Sequence, residues 1–249
     1  DVRRMLMTMR AYNEGGRAFS TYVASFLDMA KFSDDAEQKA YASNMVQLLT
    51  PVAKAYLTDR SLECCIAGQQ VFGGHGYIRE WGQEQLVRDT RITQIYEGTN
   101  GIQSLDLMGR KIVGNGGKLF ELFAAEVAEF IEAEVDNAEL ASFVQPLSAA
   151  IERLSDVTEN VINSYKEDRN AIGAASVEYL ELFGLTAYAF MWAKMAKVAA
   201  PKVSEDAFYQ SKIKTAKFFY SRLLPKTVSL AELVKSGSED MMSLEADQF

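Results

Sequence analysis

The residues most suited to chemistry are Ile95-Tyr96-Glu97-Gly98-Thr99-Asn100-Gly101, where one carboxylate sits in a glycine-broken turn between two apolar stretches. Gly98 and Gly101 leave room beside the backbone for a substrate or a cofactor. Ile92, Ile95, Tyr96 and Ile102 surround the acid in sequence. An apolar setting strengthens a carboxylate's hold on a proton, the property a general base needs. On these residues alone, an ordinary exposed turn acid is the readier reading. A second segment, Gln69-Gln70-Val71-Phe72-Gly73-Gly74-His75-Gly76-Tyr77, follows an apolar helical run. Its glycines bare backbone N–H groups that could meet phosphate oxygens, or they simply stop the helix. No strand precedes it, so it is not the dinucleotide-binding fingerprint. His75, the only histidine, reads as a turn residue between glycines. Arg88, Asp89 and Arg91 read as local ion-pair partners.

These residues must be positioned by helices. The chain has 249 residues, 48% of them apolar, and only 4 prolines. Val2, Met5, Met9, Tyr12, Phe19, Val23 and Phe26 keep helical spacing over roughly 30 residues. Gly15 and Gly16 interrupt that helix and mark a place where another helix packs closely. Asp34, with Glu37 three residues on, predicts a helix start. Thr50-Pro51 predicts a restart, and that helix should run to about Phe72. A short helix covers Glu80-Trp81 to Ile92, and Thr99 caps the next one through Ile102 to Val113. Gly114-Asn115-Gly116-Gly117 is the clearest linker.

Four apolar stripes follow: Leu119 to Ile131, Leu147 to Tyr165, Leu180 to Met195, and Phe208 to Leu223. The expectation is an all-α protein: a helical bundle over residues 1–113, then a second antiparallel helical bundle over 114–249. The pattern is already helical at Asp1, with no Met, and reads as a piece whose upstream part is missing. No apolar run reaches the ~20 residues of a membrane span. A net charge of −8 argues against nucleic acid or an anionic membrane as the partner. Cys64 and Cys65 are adjacent, which disfavours a disulfide between them and suits a reducing cytoplasm. One histidine and no Cys/His cluster leave no metal site in view.

Read together, QVFGGHGYIREWGQEQLVRDTRITQIYEGTNGIQSLDL, residues 70–107, resembles the C-terminal segment of the acyl-CoA dehydrogenase flavoproteins. It combines a Gln before Gly-Gly-x-Gly, an Arg-Asp pair, and Tyr-Glu-Gly-Thr at family spacing. The resemblance implies that residues 1–113 are the last helices of the family's helical domain. Residues 114–249 are then the extra helical domain of longer members. It implies Glu97 as the base that takes the α-proton of an acyl-CoA thioester, giving the trans-2-enoyl-CoA, with FAD as cofactor. Gln70, Gly73 and Gly74 match the segment that reaches the ADP half of an FAD held mainly by a neighbouring subunit. Thr99 matches a contact to the FAD on its own side, and Tyr96 and Gly98 flank the base at substrate-binding positions. A homodimer or tetramer and an electron-transfer flavoprotein as electron acceptor are further implications. TNGIQSLDLMGRK and FFYSRLLP point to the branch acting on 3-methylmercaptopropionyl-CoA, with short or medium acyl chains as the other substrates. Gly101 departs from the Gln found there in many members, which removes one flavin contact. Two rival classes stand beside this one: a flavoprotein of the alkylation-response kind turned to nucleic acid, and a non-catalytic helical interaction module. The acidic second half, with EVAEFIEAEVDNAE, speaks against the first; Glu97 within Tyr-Glu-Gly-Thr speaks against the second.

Overall fold

A computed structural model describes all residues, Asp1–Phe249, and contains helices and turns but no strand. The all-α expectation holds. The helices are α1 (Val2–Phe32), α2 (Ala36–Val71), α3 (Gln83–Arg91), α4 (Asn100–Leu105), α5 (Lys118–Glu134), α6 (Ala141–Ser164), α7 (Ala171–Ala199), α8 (Ala207–Arg222) and α9 (Lys226–Lys235). No helix is long and apolar enough to cross a membrane.

Five helices, not four, follow the glycine linker. The stripe from Phe208 to Leu223 ends where Pro225 stops α8, and α9 buries its own Leu230, Ala231 and Val234. The linker itself is a tight turn. Gly116 and Gly117 take φ of 65° and 85°, and Gly117 opens α5. Two start signals are also corrected. Asp35 rather than Asp34 caps α2, accepting the Glu37 and Gln38 N–H groups at 2.9 and 3.3 Å, because the helix begins one residue later. Thr50-Pro51 starts nothing: α2 runs through it, with Pro51 buried. An internal proline costs about 3 kcal/mol. Burial of Met45, Leu48, Leu49, Val52, Ala55 and Tyr56 on the same helix outweighs that cost. Finally, the helix after Thr99 widens to π-helical geometry over Asp106–Ile112. The wider turn lets Leu107, Met108 and Ile112 all be buried.

One hydrophobic core joins residues of α1, α2 and α5 to α9, with Leu107, Met108 and Ile112 between them. Its axis is α7, buried on nearly every side from Tyr179 to Ala193, as expected of a helix that is apolar all round. Glycines bring its neighbours close. A Cβ on Gly184 would lie 2.3 Å from Cγ of Tyr56 on α2. Cβ atoms on Gly15 and Gly16 would lie 2.8 and 2.7 Å from the ring and hydroxyl of Tyr188. The close packing read from Gly15-Gly16 is therefore real, and its partner is α7. Trp192 Nε1–H donates to the Ala11 carbonyl across the same contact, at 3.3 Å. A second tie links four helices: the Glu126 carboxylate of α5 accepts from the Tyr22 and Tyr41 hydroxyls at 2.6 and 3.0 Å, and Lys194 of α7 stands 3.6 Å from it. Burial, then the Glu126 charge, pushes both phenols well above their ordinary range.

Gly184→Ala forces the Tyr56 ring away from α7. We expect a loss of about 1–3 kcal/mol, as for other overpacked cores, seen as a lower denaturation midpoint with unchanged slope. A midpoint equal to that of the parent protein would refute the close-approach account.

Candidate functional site

The turn before α4 is built against the middle of α2. Thr99 caps α4, its hydroxyl accepting the Ile102 N–H at 3.3 Å. Gly98 takes φ 80°, and Glu97 takes φ 54°, making it the one non-glycine residue with a positive φ. A side chain in this region costs on the order of 1 kcal/mol or more, so surrounding bonds must hold it. They come from one stripe of α2 and from Gln103 of α4, whose Nε2 donates to the Glu97 carbonyl at 3.4 Å. Lys54 Nζ donates to the Gly98 carbonyl and to Asn100 Oδ1, each at 2.8 Å. Asn100 Nδ2 donates to Asp59 Oδ1 at 2.6 Å and to Thr58 Oγ1 at 2.9 Å. Gln94 Nε2 donates to the same Asp59 oxygen at 2.6 Å. Partial burial lowers the Lys54 pKa, and the Asp59 charge opposes that shift.

The Glu97 side chain itself is exposed and makes no hydrogen bond or ion pair with this chain. The enclosed apolar setting expected around it is not made here. Ile92, Ile95, Tyr96 and Ile102 are each about half exposed. They form an apolar surface beside the carboxylate rather than a pocket around it. Trp81, Phe72 and Tyr77 extend the exposed apolar character towards the end of α2.

There Gln70, Gly73 and Gly74 are also exposed. Gly73 takes φ 60°, and nothing lies within 4 Å of a Cβ built on it or on Gly74. Gly76, by contrast, is required by space: a Cβ would meet the Gln69 carbonyl at 2.3 Å. His75 packs edge-on to Trp81 with ring centroids 5.1 Å apart, in keeping with a turn residue. The open glycine backbone and the Gln70 amide suit the phosphate and sugar oxygens of a nucleotide. The sequence-predicted residues thus fall into two groups. Tyr96, Glu97, Gly98 and Thr99 are together in one turn. Gln70 stands in the last turn of α2, and Gly73 and Gly74 lie in the short helical turn that follows it.

The arginines near the site pair locally, as expected, though with other partners. Arg88 meets Glu84 at 2.8 Å, Arg91 meets Gln94 at 3.1 Å, and Asp89 accepts from Gln85 at 3.3 Å. Both cysteines are free. Burial pushes the Cys64 thiol up to about 12, which removes it as a nucleophile. Sequence reasoning missed Lys54, Thr58, Asp59 and Asn100. Their available signal was the polar residues at 54, 58 and 59, about one helical turn apart on α2.

The comparisons with known proteins agree with this architecture. Residues 1–112 match the family described as "Acyl-CoA dehydrogenase, C-terminal domain", and residues 123–245 match "Acetyl-CoA dehydrogenase C-terminal like". The 3-methylmercaptopropionyl-CoA dehydrogenase of Ruegeria pomeroyi is 36% identical over 90% of this chain and 39% of its own length. The chain belongs to the acyl-CoA dehydrogenase family. The broad-specificity linear acyl-CoA dehydrogenase FadE5 of Mycobacterium tuberculosis is 30% identical over 100% of the chain and 43% of its own length. The chain thus spans about two-fifths of these acyl-CoA dehydrogenases. Among solved structures, Caenorhabditis elegans ACDH-11, crystallised in complex with C11-CoA, shares the fold. Its TM-score is 0.72 at 21% identity, over 97% of this chain and 40% of that one.

Lys54→Met removes both bonds that Lys54 gives the turn. We expect about 0.5–1.5 kcal/mol of lost stability, the net contribution of a hydrogen bond whose acceptors can still reach water, with faster amide exchange at residues 95–100. Unchanged exchange there would show that the turn does not depend on Lys54.

Proposed function

We propose that this chain carries the catalytic base and part of the flavin site of an enzyme that oxidises an acyl-CoA thioester to the trans-2-enoyl-CoA. The observation that carries the reading is the Glu97 turn: a strained backbone, fixed from below by Lys54 and Asn100, that holds an unpaired carboxylate out beside an apolar surface. Glu97 accepts the α-proton of the thioester. Its backbone N–H donates to the thioester carbonyl oxygen, which stabilises the negative charge that develops as the α C–H bond breaks. Tyr96 and Gly98 lie against the acyl group at the same turn. FAD, when bound, supplies the acceptor for the hydride that leaves the β-carbon. Gln70, Gly73 and Gly74 would hold its ADP end, and Thr99 would touch it near the base.

We further propose two segments, 1–113 as the acyl-CoA dehydrogenase helical domain and 114–249 as an added helical domain, sharing one core. The exposed Trp81, Tyr77 and Phe72 beside the nucleotide-facing glycines support a homo-oligomer, dimer or tetramer, since apolar patches of this kind mark protein contacts. The same family reading makes an electron-transfer flavoprotein the acceptor of the electrons, and the two free cysteines suit the cytoplasm as the compartment. It makes 3-methylmercaptopropionyl-CoA, or a short- or medium-chain acyl-CoA, the substrate.

The test is Glu97→Gln in the intact protein. Loss of a general base predicts a fall in kcat of about 10²–10⁴-fold, with the flavin absorbance retained. Turnover unchanged by the substitution would sink the proposal. A protein with no flavin would point to an interaction module instead.

A further inference from the structure

A cleft of about 570 Å³ lies where the start of α1 meets the junction of α8 and α9. It is far from neutral. Arg3, Arg4, Arg222 and Lys226 line it, against one acid, Glu63. This chain carries 34 acidic and 26 basic residues, so four cations around one cleft run against its overall balance. Neutralisation from within is slight. Arg4 pairs with Asp1 at 2.7 Å, both side chains exposed. Glu63 is already engaged by Arg60 at 2.8 Å. No ion pair or hydrogen bond engages the Arg3, Arg222 or Lys226 side chains.

Helix electrostatics account for only part of this. Arg222 lies in the last turn of α8, where a cation is favoured. Lys226 is the first residue of α9, which has no side-chain cap. A cation there meets the positive end of the helix dipole and is disfavoured. The start of α9 therefore adds to the positive potential of the cleft, and an anion would relieve both terms. The floor is different in kind. Met7, Phe218 and Leu223 supply an apolar base, with Phe218 half-buried and Leu223 buried. An apolar floor below a cationic rim matches a ligand with a flat, weakly polar part and a multiply charged part.

We propose that this cleft binds a nucleoside diphosphate, its base on Met7, Phe218 and Leu223 and its phosphates on Arg3, Arg222 and Lys226. The phosphates take the charge and the base takes the apolar area. The size is within the usual range for small-molecule sites. The same chemistry is offered by a free nucleotide and by the nucleotide end of a coenzyme A thioester. No residue of the Glu97 turn lines this cleft, so ADP binding is read without turnover, and only the thioester source rests on the proposed reaction.

The experiment is calorimetric titration of the intact, flavin-loaded protein at low salt with ADP, inorganic pyrophosphate and sulfate. ADP should bind more tightly than sulfate. Arg222→Gln with Lys226→Gln should weaken ADP and pyrophosphate at least tenfold, with melting temperature unchanged because both side chains are exposed. Phe218→Ala should weaken ADP and leave pyrophosphate as it was. ADP affinity should also fall as salt is raised. A repeat with a saturating, non-oxidisable thioether analogue of butyryl-CoA separates the two sources. Undisturbed ADP binding identifies a free-nucleotide site, and displacement identifies the nucleotide end of the thioester. No heat with ADP, an affinity unchanged in the double variant, or sulfate binding as tightly as ADP would each overturn the proposal.

Discussion

Gly184 lets the Tyr56 ring lie against the backbone of α7, and Gly15 and Gly16 let the Tyr188 ring lie against the backbone of α1. These two reciprocal approaches bring α1, α2 and α7 closer than side chains larger than hydrogen would permit. Tyr56 and Tyr188 meet each other edge-on, with centroids 4.8 Å apart. Dispersion scales with contact at this range, so the three-helix junction concentrates packing energy where α7 is most apolar. The other helices arrange themselves on this axis, including α4, α6, α8 and α9, each of which packs on α7.

The site depends on the junction through α2. A residue such as Glu97 can stay at φ 54° only if its surroundings over-determine it. Those surroundings are side chains of α2 at positions 54, 58 and 59, with Asn100 as the bridge, and Gln103 of α4. The same rod ends at Gln70–Phe72, so the spacing between the Glu97 turn and the glycine segment is a property of one continuous helix. Pro51 does not break it, because buried residues on both sides hold the helix together. A break at Pro51 would detach the Lys54 stripe from the buried stretch that precedes it.

Most of the helices were legible because their apolar periodicity is strong. So was the Glu97 turn, through glycines and a capping threonine. Gly15-Gly16 even announced its close contact, although nothing local names Tyr188, 172 residues away (188 − 16), as the partner. One misreading is a local signal outvoted by tertiary packing. Thr50-Pro51 has the form of a helix start, yet Pro51 is buried and the helix continues. The fourth stripe stops at Leu223, and the helix beyond Pro225 was missed because its ten residues carry too short an apolar pattern to stand out. The open surroundings of Glu97 are the opposite case. Ile92, Ile95 and Ile102 look like a pocket in sequence, and they are neighbours in space, but they face outwards. Hydrophobicity predicts that such residues will be covered, not what covers them.

Arg60 shows how the later helices reach the site without touching it. It directly follows Asp59 on α2 and faces inward, its guanidinium 5.3 and 5.1 Å from the Tyr12 and Tyr56 ring centres. Its Nη1 meets Glu63 at 2.8 Å and Glu181 of α7 at 3.4 Å. The Arg60 guanidinium is largely buried while Glu63 and Glu181 stay about a third exposed, so its cation–π contacts with the two rings do most to resist rotation of α2 about its axis. Asp59 is adjacent to it, and in a helix adjacent residues are separated by a fixed angle of about 100°. Holding Arg60 against α1 and α7 therefore fixes the direction in which Asp59, Thr58 and Lys54 point. Glu181 belongs to the segment after the glycine linker, so that segment helps set the register of the helix on which the Glu97 turn is mounted.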